Sequence, residues 1–188
     1  IFDQPNSLRN IVKHYSTDHH VFTQISDKLN RRLFDHIILT GMGASLFSCY
    51  PVWLLFSNHS IPTTIWETSE LVSYGTKAIT AKTILIVVSQ SGESAEITRL
   101  VDLNNRAGFT IGVTNQPHSC LARWADLSIP IHAGEEITVS TKTYTNSLAA
   151  LNLLGLHILG GDIDFLKEEL LAVADGMETY LKSSHLAI

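Results

Sequence analysis

Thr83-Ile84-Leu85-Ile86-Val87-Val88-Ser89-Gln90-Ser91-Gly92-Glu93-Ser94 organises the rest of the chain. After Thr83 its first half is wholly apolar and largely β-branched, the composition of a strand buried on both faces. Its second half is six small or polar residues that lead into an amphipathic helix over residues 93–106, stopped by Gly108. Strand, polar turn and helix form the repeating unit of a parallel α/β protein.

The unit recurs on both sides. Residues 36–40 are a short apolar run, turned by Gly41-Met42-Gly43 and followed by a helix over residues 45–57. Thr63-Thr64-Ile65-Trp66-Glu67 reads as the next strand, with a helical turn near Ser69-Glu70-Leu71. Downstream, residues 109–114 and 127–130 are further strands. Residues 142–159 form the most apolar helix, ended by Gly160-Gly161, and Asp162 caps a last helix reaching about residue 181. Before the first strand, Leu8, Ile11, Val12, Tyr15, Phe22, Ile25, Leu29 and Leu33 recur at spacings of three and four, predicting a helix or helix pair. The expected fold is α/β: a three-layer sandwich with a parallel five-stranded sheet between helices. The expected organisation is a helical arm over 1–34, a sheet domain over 35–160 and a linker helix over 161–188.

The 188 residues suit one such domain, and 45% hydrophobic against 16% charged residues is enough to bury a core. A formal charge of -5 with no basic run argues against a nucleic-acid surface. No apolar stretch approaches the ~18 residues of a membrane span. Cys49 and Cys120 form neither a disulfide framework nor a CxxC metal site, so a reducing cytoplasm is expected. Both read as small buried hydrophobes. The start, Ile1-Phe2-Asp3-Gln4-Pro5-Asn6, lacks the basic and apolar regions of a signal peptide, and the missing Met suggests a piece of a longer protein.

Ligands of open parallel sheets bind beyond the carboxyl ends of the strands. Three loops stand there: residues 40–45, 89–94 and 139–143. In the second, Ser89, Ser91 and Ser94 offer hydroxyls, Gly92 allows close backbone approach, and the helix's first amides lack partners. This is a neutral phosphate cradle. The plainer alternative is a helix N-cap with spare serines, although a cap needs only one. In the first loop, Gly41 and Gly43 form Gly-x-Gly, with Leu46 where a dinucleotide loop has its third glycine. That leaves a tight turn or, with Glu67 as a ribose acid, a nicotinamide site. Neither a P-loop, His-Glu-x-x-His nor Gly-x-Ser-x-Gly occurs, and His14, His19 and His20 read as solvated or interface residues, so no metal and no cofactor is expected.

Taken together, the loops resemble the sugar isomerase (SIS) domain, in particular the first of the two such domains in the isomerase part of proteins like glutamine–fructose-6-phosphate aminotransferase. Residues 89–94 are similar to that family's Ser-Gln-Ser-Gly-Glu-Thr loop, with Ser94 keeping the hydroxyl of the Thr, and Gly43-Ala44-Ser45 to its Gly-Thr-Ser turn. Asp3-Gln4-Pro5-Asn6, Glu67-Thr68-Ser69-Glu70, Asn115-Gln116-Pro117, Ala125-Asp126-Leu127, residues 133–137 and Val139-Ser140-Thr141-Lys142 follow in the family's order. The resemblance implies a flavodoxin-like topology and a phosphosugar site of Gly43, Ala44, Ser45, Ser89, Gln90, Ser91, Gly92, Ser94, Val139, Ser140 and Lys142. It also implies a ligand of the fructose-6-phosphate or glucosamine-6-phosphate class.

The implied protein is an aldose–ketose or amino-sugar phosphate isomerase or deaminase, with this chain as the first half of a two-SIS protein without a glutaminase. Such chemistry moves a proton between C1 and C2 and needs a base. The sequence leaves that base unassigned. Glu136 is the candidate, with Glu93 the other nearby carboxylate and equally a helix-start residue. The alternative is a phosphosugar-sensing module without catalysis. Apolar surface on residues 144–159 and on the arm predicts a homodimer.

Overall fold

The computed structural model describes residues 1–17, 34–103, 107–136 and 140–185. Phe22, Ile25, Leu29, Leu33, the end of the helix predicted over 93–106, and Val139 lie outside them.

Strands are numbered in chain order. In β3 (Thr83–Val88) every side chain is buried, which requires neighbours on both edges and layers on both faces. Its edges are taken by β1 (His36–Gly41) and β4 (Phe109–Thr114), both parallel to it. Outside these lie β2 (Thr63–Glu67) and β5 (Leu127–Pro130), giving the five-stranded order β2-β1-β3-β4-β5. Pro130 ends an edge strand, where a missing N–H is tolerated.

Successive side chains of a strand point to opposite faces, and the core divides accordingly. Ile84, Ile86 and Val88 face a layer made by α1 (Gln4–Thr17), α3 (Tyr50–Asn58), α7 (Lys142–Ile158) and α8 (Ile163–His185). Leu85 and Val87 face the π-turn Leu71–Gly75, α5 (Ala95–Asp102) and α6 (Cys120–Trp124). Two short α-helices are also present, α2 (Ala44–Phe47) and α4 (Thr68–Glu70), with a 3-10 turn over Thr76–Ala78.

The helix that the sequence sets apart as an arm enters the main core: Leu8, Ile11, Val12 and Tyr15 are buried there. Tyr15 donates its hydroxyl to the Pro130 carbonyl at 2.7 Å, and Asn146 of α7 donates to the carbonyls of Ser7 (3.1 Å) and Ile131 (2.7 Å). The apolar surface of α7 behind the dimer expectation is therefore covered within the chain by α1, α3 and α8. Asp162 caps α8 as predicted, accepting from the Phe165 amide at 2.9 Å.

Two helical expectations change. The helix over 45–57 breaks into α2 and α3, because Pro51 has no N–H for the Phe47 carbonyl and its ring crowds the preceding turn. Helix α6 was not foreseen. Its five residues are too few for a periodic signal, and Ser119 defines its start by accepting from Ala122.

Candidate functional site

In a β2-β1-β3-β4-β5 sheet the connections leave β1 and β3 in opposite directions, and the crevice between their carboxyl ends is the expected ligand position. A cavity of about 170 Å³ lies there, lined by Met42, Ser45, Thr68, Val88, Ser89, Gln90, Ser91, Ser94 and Ile97. The structure thus brings the first two predicted loops together, and no charged side chain lines the cavity among the described residues.

The N-cap reading of the serine loop holds for Ser94, and all three serines are fixed by short-range hydrogen bonds. Ser89 Oγ accepts from the Gly92 amide (3.1 Å), Ser91 Oγ from Glu93 (3.2 Å) and Ser94 Oγ from Ile97 (3.4 Å), the last being the N-cap of α5. Each hydroxyl uses a lone pair in these contacts and keeps its proton, so three O–H donors are held in place. The amides of Gln90, Ser91, Ser94 and Ala95 make no hydrogen bond within the described residues. Hydroxyls and amides crowded at a helix start are groups that can receive an anion without any formal charge of their own.

Gly92 also meets a steric demand of the fold. Its φ is +61°, and a Cβ there would stand 2.2 Å from Ser119 Oγ and 2.6 Å from Ser119 Cβ. The side that a Cβ would occupy is taken by the cap of α6. The first loop is likewise set by sterics: a Cβ on Gly41 would meet the Leu46 nitrogen at 2.9 Å, and Gly43 has φ +52°. Because α2 spans only four residues, this loop lacks the long helix on which a dinucleotide pyrophosphate rests.

In the third loop the described residues are engaged with one another and with the chain's start. Glu136, the candidate base, is the anchor of α7. Its Oε1 accepts from the amides of Thr141 (2.8 Å) and Lys142 (2.7 Å) and from Thr141 Oγ1 (3.3 Å). Its Oε2 accepts from Ser140 Oγ (3.1 Å), the Thr143 amide (3.1 Å) and Thr143 Oγ1. Burial pushes this carboxyl up, but the Thr143 hydroxyl and the three amides outweigh it and bring the pKa down to about 2. Six donors on an acid held ionised describe a helix cap, which is poorly suited to accept a proton. Lys142 extends to Asp3 Oδ2 and the Glu135 carbonyl, each at 3.1 Å, and Ser140 is engaged by Glu136, so neither lines the cavity. Glu93, the other carboxylate considered, accepts from the Cys120 amide at 2.6 Å and so serves α6.

Thr68 joins the site and was named in the sequence only as part of a motif. Its signal was positional: it follows β2 directly, on the edge of the sheet where the other loops emerge. Of the cysteines, Cys49 is buried and its thiol is pushed up to about 12 by that burial, whereas Cys120 is only partly buried at the start of α6. Among the described residues no three His, Cys, Asp or Glu side chains form a metal-binding group, and no helix is long and apolar enough to cross a membrane.

The profile of the SIS domain family matches residues 34–157. Glutamine–fructose-6-phosphate aminotransferase (isomerizing) from Wigglesworthia glossinidia brevipalpis is 34% identical over 164 residues, covering 84% of this chain and 27% of that protein. The enzyme of the same name from Geobacillus kaustophilus is 34% identical over 186 residues, covering 95% of this chain and 31% of that protein. This chain therefore spans about three tenths of the length of these relatives. In fold it is similar to tagatose-6-phosphate ketose/aldose isomerase from Escherichia coli, with TM-score 0.78, 18% identity and coverage of 96% of this chain and 51% of that one. It is also similar to the C-terminal domain of glucosamine-fructose-6-phosphate aminotransferase from Francisella tularensis, with TM-score 0.71, 20% identity and coverage of 93% and 52%. Sheet order, the positions of the polar loops and the family match over residues 34–157 agree: this chain belongs to the SIS domain family.

Proposed function

We propose that the cavity at the β1–β3 crevice anchors the phosphate of a phosphosugar, and that the chain is the first half of a two-SIS isomerase or amino-sugar phosphate enzyme. The observation that carries this reading is the set of hydroxyls of Ser89, Ser91 and Ser94, each fixed by accepting from a loop amide and each keeping its proton for a ligand. The names of the relatives point the same way, since they act on sugar 6-phosphates.

An anchored phosphate holds the sugar's reacting carbons in position for the C1–C2 proton transfer. The anchor and the base are separate parts in this reading. Glu93 and Glu136 are engaged as helix caps, so the base comes from elsewhere in the full protein. At about 170 Å³ the cavity is also smaller than the ~300–1,000 Å³ of a complete small-molecule site. A second SIS domain would supply the remaining walls. A homodimer rests on the exposed stripe of Phe47, Tyr50 and Leu54 along α2 and α3, and a monomer at high concentration in sedimentation equilibrium would contradict it.

The test is a thermal-shift panel with fructose 6-phosphate, glucosamine 6-phosphate, inorganic phosphate and unphosphorylated fructose. A ligand at ~100 times its dissociation constant adds roughly 2.7 kcal/mol of stability. Phosphorylated ligands should stabilise the chain and fructose should not. Ser91→Ala should weaken binding by about 1.5–3 kcal/mol, the worth of a hydrogen bond to a charged group. Equal shifts with fructose and its phosphate would refute the anchor. Turnover by the full-length protein separates an enzyme from a sensor.

A further inference from the structure

Thr68 is fully buried yet lines the phosphate cavity, and its Oγ1 lies 3.1 Å from Oγ1 of Thr40, which is buried in β1 and does not line the cavity. The pair contains two hydroxyl protons and one hydrogen bond, so one proton points elsewhere. If Thr68 donated, the spare proton would belong to Thr40, enclosed between β2 and β3 beside Trp66 and Val87, with no second acceptor within the described residues. Thr68 is equally buried and likewise has no second acceptor within the described residues. Of the two it alone lines the cavity, where a water or ligand oxygen can accept, so the arrangement in which Thr40 donates and Thr68 accepts costs less. The spare proton is then that of Thr68, the member of the pair that lines the cavity.

We infer that Thr68 is a ligand-binding residue whose hydroxyl, held by Thr40, donates to a phosphoryl oxygen in the cavity formed by Ser45, Ser89, Gln90, Ser91 and Ser94. The inference rests on the phosphate-anchor reading and adds a donor from the β2 side, opposite in the chain to the serine loop. The phosphate would thus be gripped by connections from three strands: Ser45 after β1, Thr68 after β2 and the serines after β3.

Two nearly isosteric substitutions separate this role from a purely structural one. Thr68→Val and Thr40→Val each abolish the hydroxyl pair, so a structural pair predicts similar losses of stability and no difference in affinity. A donating Thr68 predicts an asymmetry in titrations of the 188-residue chain with inorganic phosphate and with fructose 6-phosphate. Thr68→Val should weaken both ligands at least tenfold, equivalent to about 1.4 kcal/mol. Thr40→Val should stay within about threefold of the parent chain, because Thr68 keeps its proton, and Thr68→Ser should restore most of the loss. If Thr68→Val does not fold, Thr68→Cys keeps the size with a weaker donor and should show the same direction. Parent-like affinity in Thr68→Val alongside a loss in Ser91→Ala overturns the inference and leaves the anchor standing. No phosphate binding by the parent chain overturns both.

Discussion

Replacing Glu136 by Gln keeps the side chain's size and changes only what its two terminal atoms can do. One oxygen can still accept from the amides of Thr141 and Lys142. The other position becomes an NH₂ facing Ser140 Oγ, Thr143 Oγ1 and the Thr143 amide. The two hydroxyls can rotate to accept from it, but the Thr143 amide cannot. One unsatisfied amide costs about 1–3 kcal/mol, and losing an anion at the start of α7 costs about 0.3–1 kcal/mol more. The pKa gives a second route to the magnitude. A fall from 4.5 to about 2 corresponds to roughly 3 kcal/mol, reduced to about 2 because the carboxylate is partly exposed.

The sign of the pH dependence follows from the same numbers. The folded-state pKa is depressed, so the stabilisation is complete above pH 4.5 and is lost as pH falls from there towards about 2. Urea unfolding followed by tryptophan fluorescence should show Glu136→Gln less stable by about 2 kcal/mol at neutral pH. More than half of that difference should be gone by about pH 3, where the parent carboxyl is itself losing its advantage. Equal stability at neutral pH would refute the capping role. So would a difference that stays constant down to about pH 3, because it could not come from the charge.

Gly92→Ala combines a left-handed φ of +61° with a 2.2 Å collision at Ser119 Oγ, and should cost at least about 2 kcal/mol in urea unfolding and abolish phosphosugar binding. Asn146→Ala leaves the carbonyls of Ser7 and Ile131 without their buried donor, and should lower stability by about 2–4 kcal/mol in the same assay. The rings of His14 and His132 lie 3.9 Å apart, and burial first, then the charge of His14, holds His132 below its usual value. Proton NMR should show His132 titrating below 6.5, and His14→Ala should raise it. Because that folded value is depressed, the neutral ring's stabilisation is present above pH 6.5 and is lost as pH falls through the folded value.

All five strands were legible in the chain from signals contained within their own four to six positions: nearly continuous burial in β1, β3 and β4, and β-branched, aromatic or alternating residues in the edge strands β2 and β5. The serine loop was legible for the same reason: Ser89, Ser91 and Ser94 bond to amides only two or three residues away. What the sequence could not determine were relations between distant segments. The order β2-β1-β3-β4-β5 decides that the loop after β3 shares a cavity with Ser45 and Thr68, residues that are far from it in the chain. Lys142 pairs with Asp3 across 139 positions, a contact that no local pattern announces. Glu136 could be named as a candidate base because it precedes α7 by six residues, outside any local capping pattern, and its role at the helix start is visible only in the hydrogen bonds of the folded chain. Hydrophobic runs and short-range caps are written locally and survive in one dimension. The partner of a charge and the wall of a cavity are set by packing, and only the folded chain decides them.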